Sequence, residues 1–160
     1  MMTEFDNAKK AAAGLLSQKM YTCEEIFQRL VRKGFSKEIS ENVVGEFSKV
    51  GILNDEEYAR LYIHDSVCVN MKGLHRVRQE LLRKGIALSV IEKAEREADF
   101  DANEQLESYA ELRFGDKVFE SWKELEKAKA HLVRRGFSIY DINKCFDKLG
   151  IKVMRSDESE

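Results

Sequence analysis

Leu30-Val31-Arg32-Lys33-Gly34, Leu81-Leu82-Arg83-Lys84-Gly85 and Leu132-Val133-Arg134-Arg135-Gly136 are three copies of one pentapeptide, spaced 51 residues apart at each step. A period of this length marks tandem structural units rather than a local motif. Before each glycine, Cys23, Ile26, Leu30 and Val31 recur as Leu74, Val77, Leu81 and Leu82, then as Leu125, Ala128, Leu132 and Val133. That spacing is the apolar stripe of an amphipathic helix. Two cations and a glycine close each helix: the charges meet the negative dipole end, and Gly34, Gly85 and Gly136 are expected to be left-handed. Thr22 and Glu25 have the spacing of a capping box at the other end.

One apolar and one small residue follow each glycine: Phe35-Ser36, Ile86-Ala87 and Phe137-Ser138. A second helix should start there, burying Ile39, Val43 and Phe47 in the first unit and Ile142, Cys145 and Phe146 in the third. Gly51 ends it in the first unit, and Asn54 with Glu57 opens a third helix. Tyr58-Ala59 and Leu61 recur at Tyr109-Ala110 and Leu112. The unit is therefore three helices. Shifting the third helix back one period lands on residues 3–19, where Ala8, Ala11–Ala13, Leu15 and Leu16 read as the last helix of a truncated unit.

The expected fold is all-α: three-helix repeats stacked into an array of about nine helices, each unit burying faces its neighbours share. The expected divisions are an N-terminal helix in 1–20, repeats in 21–71 and 72–121, a two-helix repeat in 122–150 and a polar tail in 151–160. There is no proline, and no run approaches the roughly 18 apolar residues of a membrane span. No signal-peptide pattern opens the chain, so the reading is a cytoplasmic protein without membrane contact. Cys23, Cys68 and Cys145, odd in number and scattered, read as reduced, buried thiols.

No catalytic constellation emerges, and no cofactor motif. His64 and Cys68 share a helix face at ligand spacing, but no second pair accompanies them, so no metal site is expected. His75 and His131 have no helical neighbour suited to acid-base work, and Asp101 with Glu104 reads as a helix start. The chain is not expected to be an enzyme.

Charge is what remains. A net charge of −2 argues against a general nucleic-acid binder. Its distribution is uneven, with five cations and one anion from Lys72 to Ser89 but ten anions and three cations from Glu97 to Glu126. At about 100° per residue, Lys72, Arg76 and Arg83 project opposite Leu74, Val77 and Leu81. They recur as Lys123, Lys127 and Arg134, whereas the first unit breaks the pattern with Tyr21, Glu25 and Arg32. The stripe is either a solvated face or a docking surface for an acidic, periodic partner.

The chain resembles the RecX family, regulators of the RecA recombinase. Arg134-Arg135-Gly136-Phe137-Ser138 is similar to the family's arginine-arginine-glycine-phenylalanine-serine signature, and Gly51-Ile52-Leu53-Asn54-Asp55-Glu56-Glu57-Tyr58-Ala59 to its segment before the third helix. Lys72-Gly73 and Leu81-Leu82-Arg83-Lys84-Gly85-Ile86 match in order, while Asp65–Asn70 lacks the cations common there. The repeats are expected to form an elongated monomer, and the resemblance implies a curved array that docks in the groove of the RecA filament on DNA. It also implies inhibition or modulation of recombinase, ATPase and co-protease activity in DNA repair, recombination and the SOS response, by restraining filament growth or promoting disassembly, without chemistry of its own. The alternatives are a helical-repeat nucleic-acid binder, with DNA contact local and weak, or a scaffold for another protein.

Overall fold

The computed structural model describes residues 1–154. They contain nine α-helices: α1 (Glu4–Leu16), α2 (Cys23–Arg32), α3 (Lys37–Lys49), α4 (Asp55–His64), α5 (Leu74–Arg83), α6 (Leu88–Glu97), α7 (Ala102–Phe114), α8 (Trp122–Arg135) and α9 (Ile139–Leu149). A π-helical turn, Asp65–Val69, continues α4. No strand occurs among the described residues, only an isolated parallel bridge between Phe119 and Val153. Shifted by the 51-residue period, α2 superimposes on α5 in sequence, end to end.

The pentapeptides close their helices as the composition requires. The glycine N–H donates to the carbonyl of Val31, Leu82 or Val133, and the next N–H to that of Leu30, Leu81 or Leu132. This double closure is the Schellman motif, which needs a left-handed residue. Gly34, Gly85 and Gly136 have φ of +102°, +85° and +108°. Thr22 and Glu25 form the capping box, Asn54 Oδ1 accepts from Glu57 N, and Asp101 accepts from the N–H groups of Asn103 and Glu104.

The chain forms two compact units, each from two stretches. Unit 1 takes Met1–Tyr62 and Glu80–Glu97; unit 2 takes Ile63–Gln79 and the chain from Ala98 onward. In unit 1, α1 packs on α2 and α3 around Ala8, Ala12, Ile26, Leu30, Val43 and Phe47. In unit 2, Leu106, Phe114, Phe119, Leu132, Ile142 and Phe146 form the core.

Four expectations change. Leu82 and Val133 are exposed and Val31 half-buried, because the residue after the last core leucine lies about 100° round the helix from it. Cys145 is buried, but Cys23 and Cys68 are only half-buried, so the thiols are not all core groups. Lys72 precedes α5 rather than riding on it. The segment expected as a polar tail begins with Ile151 and Val153 packed on the unit 2 core, where Met154 N donates to the Phe119 carbonyl; Arg155–Glu160 lies outside the described residues.

Candidate interaction surface

Each of the last two glycine turns is docked on the start of a helix one repeat earlier. In unit 1, Thr22 Oγ1 donates to the Lys84 carbonyl at 2.7 Å. In unit 2, Gly73 N donates to the Arg135 carbonyl at 2.8 Å. Thr22 and Gly73 are one period apart, as are Lys84 and Arg135. The approach is close in both: a Cβ on Gly85 would fall 2.3 Å from Glu24 Cβ, and one on Gly136 2.5 Å from Arg76 Cβ and 2.7 Å from the Gly73 carbonyl oxygen. Glycine is required at these turns by contact as well as by φ.

The two cations before Gly85 and before Gly136 have different duties. Lys84 Nζ lies 5.9 Å over the Tyr58 ring and 3.7 Å from Glu25, and Arg135 lies 5.0 Å over Tyr109. Tyr58 and Tyr109 are again one period apart. Burial opposes the Lys84 charge, yet Tyr58 and Glu25 outweigh it and hold its pKa above the ordinary lysine value. The Arg135 guanidinium also donates to the Asn70 and Met71 carbonyls, beside Met71's positive φ of +52°. These inner cations are cation–π anchors that fix the turn.

The outer cations, Arg83 and Arg134, are exposed. Arg76, Lys123 and Lys127 are exposed too, while Lys72 is half-buried. Lys123, Lys127 and Arg134 lie on one face of α8, as their spacing demands. Arg83 belongs to unit 1 and the other five to unit 2. Within unit 1, Arg83 shares a cleft of about 250 Å³ with Arg29 and Arg32 of α2. Arg29 and Arg32 were not singled out in the sequence as site residues, because comparison along the repeat sets Arg32 one period from Arg83 instead of beside it. In unit 2, Lys72 lines a cleft of about 180 Å³ with His75, Arg78, the Gly136–Ser138 turn and Asp141 of α9.

The remaining reactive groups are built into the packing. Burial pushes the Cys145 thiol up to about 11, which suppresses the nucleophilic thiolate. His131 Nε2 is 2.8 Å from the Tyr109 hydroxyl, and its pKa is lowered by burial, then by Arg113, Arg135 and Arg134. Among the described residues no group of three or more His, Cys, Asp or Glu could hold a metal ion, and no helix is long and apolar enough to cross a membrane.

Repeated helical units, with recurring turn-on-helix contacts and outward cations, define a helical-repeat protein. The comparisons give its family. A model described as "RecX, first three-helix domain" matches residues 8–47, and one described as "RecX, second three-helix domain" matches residues 54–94. These spans take in α1–α3 and α4–α6, so the family divides the repeat one helix earlier than the pentapeptides suggest. The regulatory protein RecX of Prosthecochloris aestuarii is 33% identical over 92% of this chain and 98% of its own. That of Caldanaerobacter subterraneus subsp. tengcongensis is 30% identical over 90% of this chain and 71% of its own. The crystal structure of RecX from Lactobacillus salivarius shares the fold, with a TM-score of 0.76 at 21% identity over 93% of this chain and 98% of that one. The chain belongs to the RecX family of regulatory proteins.

Proposed function

We propose that this protein docks as a monomer on the RecA recombinase filament and restrains its growth, lowering recombinase, ATPase and co-protease activity in DNA repair, recombination and the SOS response. Membership of a family whose members are named as regulatory proteins carries the reading. The repeated outward cations support it. Arg83 and Arg134 hold the same place in two successive repeats, and a filament offers the same surface again at each subunit. Their inner neighbours, Lys84 and Arg135, fix the turns that present them. DNA contact is local in this reading, because the ten anions between Glu97 and Glu126 repel a phosphate backbone.

The test is single-stranded-DNA-dependent ATP hydrolysis by the cognate recombinase. A filament-growth inhibitor lowers hydrolysis at amounts well below one per recombinase subunit. Unchanged hydrolysis at equimolar protein would refute the proposal.

A further inference from the structure

The unit 1 cleft between α2 and the end of α5 holds four cations, Arg29, Arg32, Arg83 and Lys84, against two acids, Glu24 and Glu25. Most of these charges are already committed. Lys84 is held by Glu25 and Tyr58, Arg29 stacks 4.8 Å over Tyr21, and Glu24 accepts from Gln28 Nε2 at 2.8 Å. Glu25 also accepts from Thr22 N in the capping box. Arg32 and Arg83 are exposed, line the same cleft and have no carboxylate partner among the described residues. Two guanidinium groups thus face one opening with their donors unspent.

From this arrangement we infer that the cleft captures a carboxylate-bearing segment of a protein partner, with Arg32 and Arg83 each gripping an aspartate or glutamate side chain. Guanidinium and carboxylate match as planar, bidentate partners. The cleft's own acids favour a polypeptide over a nucleic acid. A phosphodiester chain presents one sign of charge throughout and meets Glu24 at the rim, within a chain of net charge −2. A polypeptide can offer acids to the arginines and an amide or basic donor to Glu24. The inference deepens the docking reading and rests on it only in requiring a protein partner; it leaves open whether that partner is the recombinase.

The test is fluorescence anisotropy with two labelled probes, an acidic peptide of alternating Glu and Leu and an oligothymidylate, at low and high salt. Arg32→Glu/Arg83→Glu is compared with the parent, with Arg32→Gln/Arg83→Gln, and with Lys10→Glu/Lys49→Glu, which reverses two exposed charges outside the cleft. Circular dichroism should show all four folded, since exposed cations contribute little to stability. The parent should bind the peptide more tightly than the oligonucleotide. The cleft reversal should weaken peptide binding about ten-fold or more, the glutamine pair less, and the outside pair at most about two-fold. Equal losses in both reversals, or none in the cleft reversal, would overturn the inference. So would tighter oligonucleotide binding that the cleft reversal abolishes, which would assign the cleft to phosphate. If the cleft variants bind peptide normally while inhibition of ATP hydrolysis persists in the parent, the cleft assignment alone fails. A specific peptide site with no effect on hydrolysis would sink the recombinase reading instead.

Discussion

The turns at Gly34 and Gly136 share a pentapeptide, a hydrogen-bond pattern and nearly the same φ, +102° and +108°, but their surroundings are opposite. Nothing lies within 4 Å of where a Cβ on Gly34 would stand, whereas one on Gly136 would strike Arg76 and the Gly73 backbone. One glycine answers to local conformation alone; the other answers to conformation and to a helix start pressed against it. Gly85, crowded by Glu24, belongs with Gly136. A repeated residue can therefore be required for different reasons in different copies.

Substitutions can sharpen or break this contrast. Gly136→Ala should be the most damaging, destabilising by roughly 3 kcal/mol, because left-handed strain and overpacking against backbone add. Gly85→Ala should lose about 2 kcal/mol, since the obstruction is the base of one side chain, Glu24. Thr22→Val removes both the helix cap and the donor to the Lys84 carbonyl, and should lose about 1.5 kcal/mol, most of it recovered in Thr22→Ser. Gly34→Ala should lose only about 1 kcal/mol, the cost of the left-handed conformation itself. Urea unfolding followed by circular dichroism ranks all four. Equal losses at Gly34 and Gly136 would erase the distinction between the turns.

The smallest expected effect is one of pH. Where unit 1 has Glu80 bonded to the Tyr62 hydroxyl, unit 2 has His131 bonded to Tyr109, one period along from Glu80. The folded pKa of His131 lies below the ordinary value of 6.5, through burial and three arginines. The unfolded chain therefore takes up this proton first. Stability is full above 6.5 and is lost as the pH falls below it. His131→Gln should flatten the urea midpoint between about pH 7 and 5 relative to the parent. An unchanged slope would show that His131 titrates alike in both states.

The helices, the left-handed glycines and the caps at Thr22, Asn54 and Asp101 were legible because each is a local rule, satisfied within a few residues. So were Ile26, Leu30, Val77, Leu81 and Leu132 as core positions. The docking of the turns was not, although its pieces recur at the same period. The reason is chemical: at Thr22 the donor to the docked carbonyl is a hydroxyl, and at Gly73 it is a backbone N–H, so the shared role leaves no shared residue type. The role of Arg32 is hidden in the sequence for a related reason. Residues one repeat apart can become neighbours through a docked turn, and a comparison that aligns repeats treats such residues as copies rather than as partners. The inner cations left a readable trace: Tyr58 with Lys84 and Tyr109 with Arg135 recur together.

The discontinuous make-up of the two units bears on how the chain is synthesised. A nascent chain that has emerged as far as Tyr62 can gather α1, α2 and α3 around Ile26 and Leu30, yet Thr22 must wait for Lys84, 62 residues later. Unit 2 imposes a similar delay, since Asn70 is met by Arg135 only 65 residues downstream. A pause before Arg135 emerges would thus leave the Asn70 and Met71 carbonyls without the guanidinium they accept from. Cutting the chain at the repeat boundaries would not yield two self-sufficient halves, because every such cut strands part of one unit with the other.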